Sequence, residues 1–508
     1  MATPTFYLGA AFGSRPGDAT YTYTDISTRG RKLNYGRGRT HELDRTDAGE
    51  GGATLKDGDR YFDSTNTSSS AYPNVVPLVP FKATATIGGT TYNMMAHYVE
   101  SWTRRRQGPN YADRVITTVD GFEILSRLIL QPPKATLTTA LGGNRDLTFI
   151  SVKPGAEGNK VSVVYRITSH TLSAPQINVS SHRVAIDLGT SGFTANQIIT
   201  AINADTTAPR RVIVATAVGS DGTGTVSTAM AETHLAGGGP LTYPSELSGA
   251  RVTRTLDTVG WPAALRSLGV GKSTVLARTF QPGDSISALE HLQQITGEGG
   301  EEGLMFIDGR GFLKFLDRWT ATQSPYTTSQ VTFTDTPASP FDVGYQDAVP
   351  SYDNQLVINE WVGTYPGGLT QTAIDLTSQA KYLRRIRQIA SALTSDDAVL
   401  ANLEWRLAHY KDPLDRLDSI RVMPNVSTIA WQACLAREPG DRVTVLQHPP
   451  GGGTDTREYI LQHIAADIDL ADPARSSFTF QLWPADQRNW LILNDTIYGK
   501  NGSNKVAA

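Results

Sequence analysis

Short runs in which apolar and polar residues alternate recur along most of the chain, and helical spacing is confined to a few stretches. In the first quarter Ala53-Thr54-Leu55 reads as a short strand. After Val75 to Phe81 come the alternating Ala83, Ala85 and Ile87, a Gly88-Gly89 hairpin signal, the strand Thr91 to Val99 and the strand Arg114 to Val119. Gly121 to Leu130 reads as a short helix. The glycine-rich opening carries too little apolar surface for a core of its own, so its strands must pack on those that follow. The pattern predicts a barrel-like β domain over residues 1–131.

Gln131-Pro132-Pro133 breaks the pattern, because consecutive prolines lack backbone donors and push the preceding residue out of helix. Strands are then predicted at Leu147 to Val152, Val161 to Ile167, Gln176 to Val179, Arg183 to Leu188 and Arg211 to Val218. Thr194 caps a helix that sets Ile198 and Ile202 one turn apart, and Leu235 to Pro240 closes the segment. Residues 132–241 therefore read as an inserted α+β module. Residues 242–338 read as an α/β linking domain. Its helix starts at Asp284 or Ser285, presents Ile286, Leu289, Leu292 and Ile295 on one face, and ends at Gly297. A hairpin follows in which Leu304 to Ile307 and Phe312 to Phe315 flank Asp308-Gly309, the type I′ dipeptide. Residues 339–484 read as a second barrel, with strands at Gln355 to Val362, Ser419 to Val422, Arg442 to Leu446, Tyr459 to Ile464 and Ser477 to Leu482. One helix interrupts it, capped by Ser395, with Asp396 and Asp397 at its positive end and Val399, Leu403, Leu407 and Tyr410 on one face. Residues 485–508 form a C-terminal tail. The fold class expected is mainly β, with an α+β linker and an insertion.

A chain of 508 residues exceeds what one core sustains, which agrees with several domains. The 46 Lys and Arg nearly balance 49 Asp and Glu, so nothing demands a polyanionic partner. The single cysteine, Cys434, excludes an intrachain disulfide framework. No charged-then-apolar leader and no run of about 18 apolar residues is present, and the chain reads as a soluble protein made in a reducing cytoplasm.

Candidate chemistry is sparse. Gly269 to Thr274, GVGKST, suggests a phosphate-cradling loop, but a P-loop needs glycine where Arg266 stands, and a surface turn is the expectation. Gly219 to Gly224, GSDGTG, reads as a hairpin loop, without the acidic residues of a calcium loop. Glu298, Glu301, Glu302 and Asp308 raise a metal site or a glycosidase-like carboxylate pair, against which stands a solvated loop between helix and hairpin. The histidines are scattered, with none at the i, i+4 spacing of a helical zinc site, and Cys434 reads as a core residue. Arg104-Arg105-Arg106 lacks the interleaved aromatics of a single-strand binder and is expected to face a neighbouring subunit or solvent. No catalytic, cofactor-binding or metal residue is assigned, no cofactor is implied, and no enzymatic activity is expected.

Residues 28–66, TRGRKLNYGRGRTHELDRTDAGEGGATLKDGDRYFDSTN, give the most specific signal: a basic glycine-punctuated approach, an acidic glycine-rich crossing, a short strand, and a turn into Arg60-Tyr61-Phe62-Asp63. The segment resembles the opening barrel of the minor tail or baseplate hub proteins of tailed bacteriophages. Residues 304–318, LMFIDGRGFLKFLDR, preceded by a helix and an acidic glycine loop, resemble the linking domain of the same family. Tyr352-Asp353-Asn354, Gly440 to Val443 and Phe480 to Pro484 resemble its distal half. The ending Trp490 to Gly499 is similar to minor tail proteins of actinobacterial siphophages. Within 132–241, PGAEGN, TANQIITAIN and LAGGG resemble an accessory module of phage tail components.

The resemblance implies two tail-tube-like β-barrels per chain, a homotrimer forming a pseudo-hexameric ring, and a place at the virion tail tip. It implies as partners the distal tail ring, the tape measure protein and the central fibre or spike, with DNA passing through without specific binding and no membrane contact. The alternatives are a hexameric distal tail protein, which would carry one barrel, and a receptor- or carbohydrate-binding tail protein acting through the insertion. A cell-wall hydrolase would need a His-rich metal triad or a buried carboxylate pair, neither of which the sequence offers.

Overall fold

The computed structural model describes residues 3–18, 20–106, 112–204, 213–217, 221–339 and 341–485. These divide into two compact units, one made of Met1–Leu128, Ser245–Leu276 and Ser287–Ala508, the other of Ile129–Pro244 and Ala277–Ile286. The architecture is mainly β. Residues 1–131 and 339–484, expected as two barrels, contribute to one 14-stranded sheet. No closed barrel occurs among the described residues.

The reason is one long strand, Asp455–Asp469. At about 3.3 Å per residue it is long enough to take two partners end to end on one edge. Its first part pairs antiparallel with Arg442–Gln447, and its second part, from His463, pairs antiparallel with Gly30–Gly38. The other edge pairs with Ser477–Pro484. From Gly30–Gly38 the sheet continues through Glu50–Lys56, Ala112–Val119, Thr90–Arg106, Pro80–Ile87 and Thr5–Ala10. Gly38 sits where the long strand changes partner, with φ +104°, and a Cβ there would lie 2.1 Å from the Gln462 carbonyl oxygen, so only glycine fits.

One hydrophobic core serves both ends of the chain, joining Leu8, Leu33, Phe81 and Met94 to Phe333, Ile420, Ile464 and Phe480. Helix Thr428–Leu435, which the sequence reading missed, is part of it. Its Trp431 meets Phe6 edge-on at 6.1 Å and Phe478 at 6.2 Å, and Cys434 is buried beside it. Burial raises the Cys434 thiol well above its ordinary value, which makes it an inert core residue.

Several local expectations shift. The linking helix is Ala288–Thr296, capped by the Ser287 hydroxyl, which accepts from the Glu290 amide, and it begins after Asp284 and Ser285. The hairpin turn at Asp308 is a longer loop in which Gly311, at φ +88°, takes the left-handed position and Gly309 does not. The Asp308 carboxylate accepts from the Arg310 and Phe312 amides and so builds the turn itself. The strand expected from Gln355 is only Glu360–Thr364. Ser395 caps helix Asp396–Tyr410, and the Asp120 carboxylate caps Gly121–Arg127.

In the second unit, Leu147–Pro154 lies between Lys134–Thr138 and Ile213–Ala217. A second sheet has the order Gln176–Ser180, Arg183–Asp187, Ser162–Arg166, Met230–His234. Helix Ala195–Ala204 buries Ile198 and Ile202 in a core with Phe149, Tyr165 and Ile186. Arg211, Val212 and Val218 of the expected strand, Gly219 and Ser220 of the expected hairpin loop, and the Trp490 to Gly499 ending lie outside the described residues.

Candidate functional site

The two motifs with the most chemical promise in the sequence meet in space and satisfy each other. Gly271 is in the left-handed region at φ +65°, and a Cβ there would stand 1.8 Å from the Ser248 hydroxyl oxygen. This conformation turns the Lys272 and Ser273 amides inward, and both donate to one oxygen of Glu301, at 2.9 and 3.1 Å. The Ser248 hydroxyl donates to the same oxygen. The Gly271 amide donates to Asp317 at 3.0 Å. The GVGKST loop is thus an anion cradle whose anion is a carboxylate of its own chain, and a phosphate would have to displace buried Glu301.

The remaining acids of the cluster also have fixed partners. Glu298 pairs with Arg387 at 2.6 Å, Glu302 with Arg406, and Asp308 with Arg310 at 2.7 Å. The expectation of a solvated loop is corrected, since Glu301, Glu302 and Asp308 are buried. Arg406, itself fully buried, donates to the Glu298 carbonyl at 2.8 Å and to Asn402 one helical turn earlier, also at 2.8 Å, and lies over the Trp361 ring. It therefore ties the acidic glycine loop to helix Asp396–Tyr410. Each carboxylate answers a different cation, which is the arrangement of a structural network and not of an acid/base pair sharing a proton.

Beside this network lies a polar cleft of about 230 Å³, lined among others by Arg39, Glu42, Asp44, Arg45, Glu298 and Arg387. Its walls are held by long-range bonds: Arg39 donates to Gln462 at 3.0 Å, and the Tyr410 hydroxyl donates to Glu42 at 2.9 Å. Arg37, also buried, pairs with Glu438 at 2.7 Å and donates to the Met94 carbonyl. The glycine-punctuated approach is therefore a strand whose inward positions, Leu33, Tyr35 and Arg37, end in a charge. Sequence reasoning missed Arg37, Arg39, Glu42 and Arg406; for Arg37 the signal available was an arginine falling on the apolar phase set by Leu33 and Tyr35.

The Asp57 to Asp63 turn forms a second network. Asp57 is fully buried and receives Arg114 at 2.8 Å, Asp59 receives Arg29 at 2.7 Å, and Asp63 receives Arg60 at 2.9 Å and Arg104 at 3.3 Å. Hydrogen bonds from Thr65 and then from Arg60 hold the Asp63 carboxyl well below its usual range. Arg29 also stacks over Tyr61 at 4.2 Å. Of the basic run, Arg104 is thus committed to the chain's own carboxylate.

Among the described residues no group of three or more His, Cys, Asp or Glu is placed to hold a metal ion. His97 is buried against the Thr118 hydroxyl at 3.0 Å, and burial together with Arg37 pushes its imidazole down to about 3. His448 contacts Asp335 at 2.7 Å on the surface. In the insertion, Asp221 folds onto the Thr223 amide and hydroxyl, a local turn beside the start of helix Ala195–Ala204.

No protein-family model and no curated protein matches the chain. Solved structures similar to it include a tail protein from Neisseria meningitidis MC58, with 10% identity over 94% of this chain and 96% of that one and a TM-score of 0.46. The 43 kDa tail protein of prophage MuSo2 from Shewanella oneidensis shares 10% identity over 96% of this chain and 100% of its own, with a TM-score of 0.45. Prophage tail protein gp18 from Listeria monocytogenes EGD-e shares 10% identity over 94% of each chain, with a TM-score of 0.37. With TM-scores below 0.5 these likenesses settle neither fold nor function for this chain.

Proposed function

We propose that the chain is a structural virion protein, the tail-tip or baseplate hub of a tailed bacteriophage. It would cap the tail tube, join the distal tail ring to the central fibre or spike, and leave a channel for tape measure protein and DNA. The observation that carries this reading is the shared strand Asp455–Asp469, which welds the first and last parts of the chain into one sheet over one core. Such a body is a wall element, and the charges that could have made a site are used to brace it. The sequence resemblance at residues 28–66 and 304–318 supplies the identity of the assembly.

On this reading the protein is not an enzyme and uses no cofactor. Its partners are two further copies of itself, the distal tail ring, the tape measure protein and the central fibre or spike, and it sits at the virion tail tip. Short edge strands at the ends of the sheet, Thr24–Asp25 and Val343–Gly344, leave edges for a neighbouring subunit to cover. The particle mass in solution, followed by a tail-tip reconstruction, tests the proposal. Three copies per ring are expected, and six equivalent copies would transfer the chain to the distal tail ring. A mobility-shift titration tests the channel: no salt-sensitive binding to duplex DNA is expected, and retention lost steeply on adding salt would favour a nucleic-acid-binding role.

A further inference from the structure

Leu383 follows the short helix Leu376–Tyr382 at φ +64° and ψ 166°, a region of backbone space open in practice to glycine alone. Its side chain is 77% exposed. The conformation is imposed by the buried Asn359 side chain, which donates to the Leu383 carbonyl at 2.8 Å and accepts from the Arg385 amide at 2.8 Å. From the other side the Arg385 carbonyl accepts from the Asn359 and Glu360 amides, both at 3.1 Å. The neighbouring Glu360 side chain is already covered by Arg384 and Gln379. Glycine would take this backbone without strain, so the leucine costs the fold stability and leaves little area buried in exchange. What its side chain contributes therefore lies outside the chain.

The same unit carries an apolar groove of about 430 Å³, lined among others by Tyr92, Val331, Phe341, Val343, Ile429 and Ala433. It follows helix Thr428–Leu435 beside the short edge strand Val343–Gly344, and Phe341 in its wall is 74% exposed. Two charged residues line it. Arg437 is buried and paired with Asp441 at 3.2 Å. The Asp342 carboxylate accepts from the Ala338 and Ser339 amides and has no cation partner among the described residues. The groove therefore carries one uncompensated negative charge. Lys381, two residues before Leu383, is exposed and has no partner among the described residues.

We propose that Leu383 is a preformed anchor that enters this groove on a second copy of the chain, with Lys381 paired to Asp342. The proposal rests on the ring reading above, because it needs a neighbouring copy. The two surfaces differ, so the contact is heterologous: each chain gives its leucine to one neighbour and receives a leucine from the other, and such contacts close into a ring when the rotation between copies divides a full turn. Fixing Leu383 in advance removes the cost of ordering it on association. Backbone strain of this kind clusters where a protein clamps something else. Seating the leucine also shields Phe341 and the edge at Val343–Gly344 from water.

The test puts a benzophenone side chain in place of the Phe341 ring in full-length protein assembled from an equimolar mixture of unlabelled and 15N-labelled chains. After irradiation, crosslinks from position 341 to residues 376–386 are expected, with mixed-label pairs as frequent as same-label pairs. Same-label pairs alone would show that the segment belongs to the same chain, and no crosslink to it would show that the groove takes something else. Either overturns the proposal. Leu383→Gly supplies a second measurement, since it relieves the backbone and removes the anchor. The dissociation constant of the assembly should rise about tenfold or more. The dissociated variant should melt above the dissociated parent, because the strain relieved outweighs the freedom that glycine adds to the unfolded chain. An unchanged dissociation constant or a lower melting temperature would overturn the anchor. The particle mass separates this contact from the ring reading: six copies with the crosslink would overturn the trimeric hub and keep the contact, and three copies without it would do the reverse. A parent that stays monomeric would overturn both.

Discussion

The two units are built on opposite terms. The larger buries, among others, Arg37, Arg39, Glu42, Asp57, Arg114, Asp120, Arg251, Glu301, Glu302, Asp308, Arg406 and Arg442. The inserted unit buries no charged residue among those described, and Thr139, Ser151 and Ser162 are its buried polar side chains. The insertion follows the ordinary rule that charges stay outside, and its core could be read from apolar periodicity alone. The larger unit breaks that rule in order to join segments far apart in sequence, such as Arg37 with Glu438 and Glu302 with Arg406. A buried pair is not a cheap source of stability, but a misplaced partner leaves a naked charge, so such pairs penalise wrong register strongly.

The largest expected effect follows from that asymmetry. Arg406→Ala removes the partner of buried Glu302 and the donor to Asn402 and to the Glu298 carbonyl. Breaking one side of a buried pair costs about 3–5 kcal/mol, so a loss of that order in chemical denaturation is expected for the larger unit. A loss below about 1 kcal/mol would mean that Glu302 reaches water, and the contrast between the units would fail.

The second effect is a pH dependence. Asp120 is buried, and burial raises its carboxyl from 3.8 to about 7 against the opposing hydrogen bonds from the Gly49 and Phe122 amides. Between about pH 4 and pH 7 the folded state then holds a proton that the unfolded state has lost, so this residue makes stability fall as pH rises through that window. Asp120→Asn keeps an acceptor for the Phe122 amide and removes the titration. Relative to the parent the variant should gain stability from pH 4 to pH 7, by up to roughly 4 kcal/mol at 1.36 kcal/mol per pKa unit. Thermal melts of both proteins across that range check it, and parallel profiles would place the carboxyl in contact with solvent.

These effects also mark what the sequence could and could not reveal. The helices at Ala195 and Asp396 were legible, because Thr194 and Ser395 act on amides within three residues, whereas Thr428–Leu435 was missed although Ser427 caps it in the same way. The strand Gly30–Gly38 was not legible, although Leu33 and Tyr35 alternate correctly, because arginines and glycines hide a period of two unless their partners are known. The acidic run 298–302 looked like a solvated loop for the same reason: Arg387 and Arg406 lie far along the chain. The forking of strand Asp455–Asp469 depends on length and partner choice, which no local pattern encodes.

A smaller effect is expected inside the insertion. Ile198→Val removes one buried methylene from an apolar core, which costs about 0.5–1.5 kcal/mol. The loss should be the same at pH 5 and pH 8 and in low and high salt, because no buried charge lies in that core. A loss that varied with salt would show a charge coupled to the insertion's interior.

The smallest expected effect is on the larger unit when the insertion is cut out. Thr136 and Ala236 exchange both backbone hydrogen bonds, at 2.8 and 2.9 Å, so the two ends of the module already lie side by side. Joining them through a few Gly and Ser residues in place of 137–235 closes a short gap at little entropic cost. The cut spares the pairing of Leu241–Tyr243 with Arg278–Phe280, including the Tyr243 and Phe280 rings 5.2 Å apart. It also spares the Leu130 amide bond to Ile286. None of the buried charges of the larger unit lies in the excised stretch. The shortened chain should therefore melt at the temperature of the parent's larger unit and keep the parent's oligomeric state. A lower melting temperature, or loss of the oligomer, would show that the insertion braces the wall it interrupts.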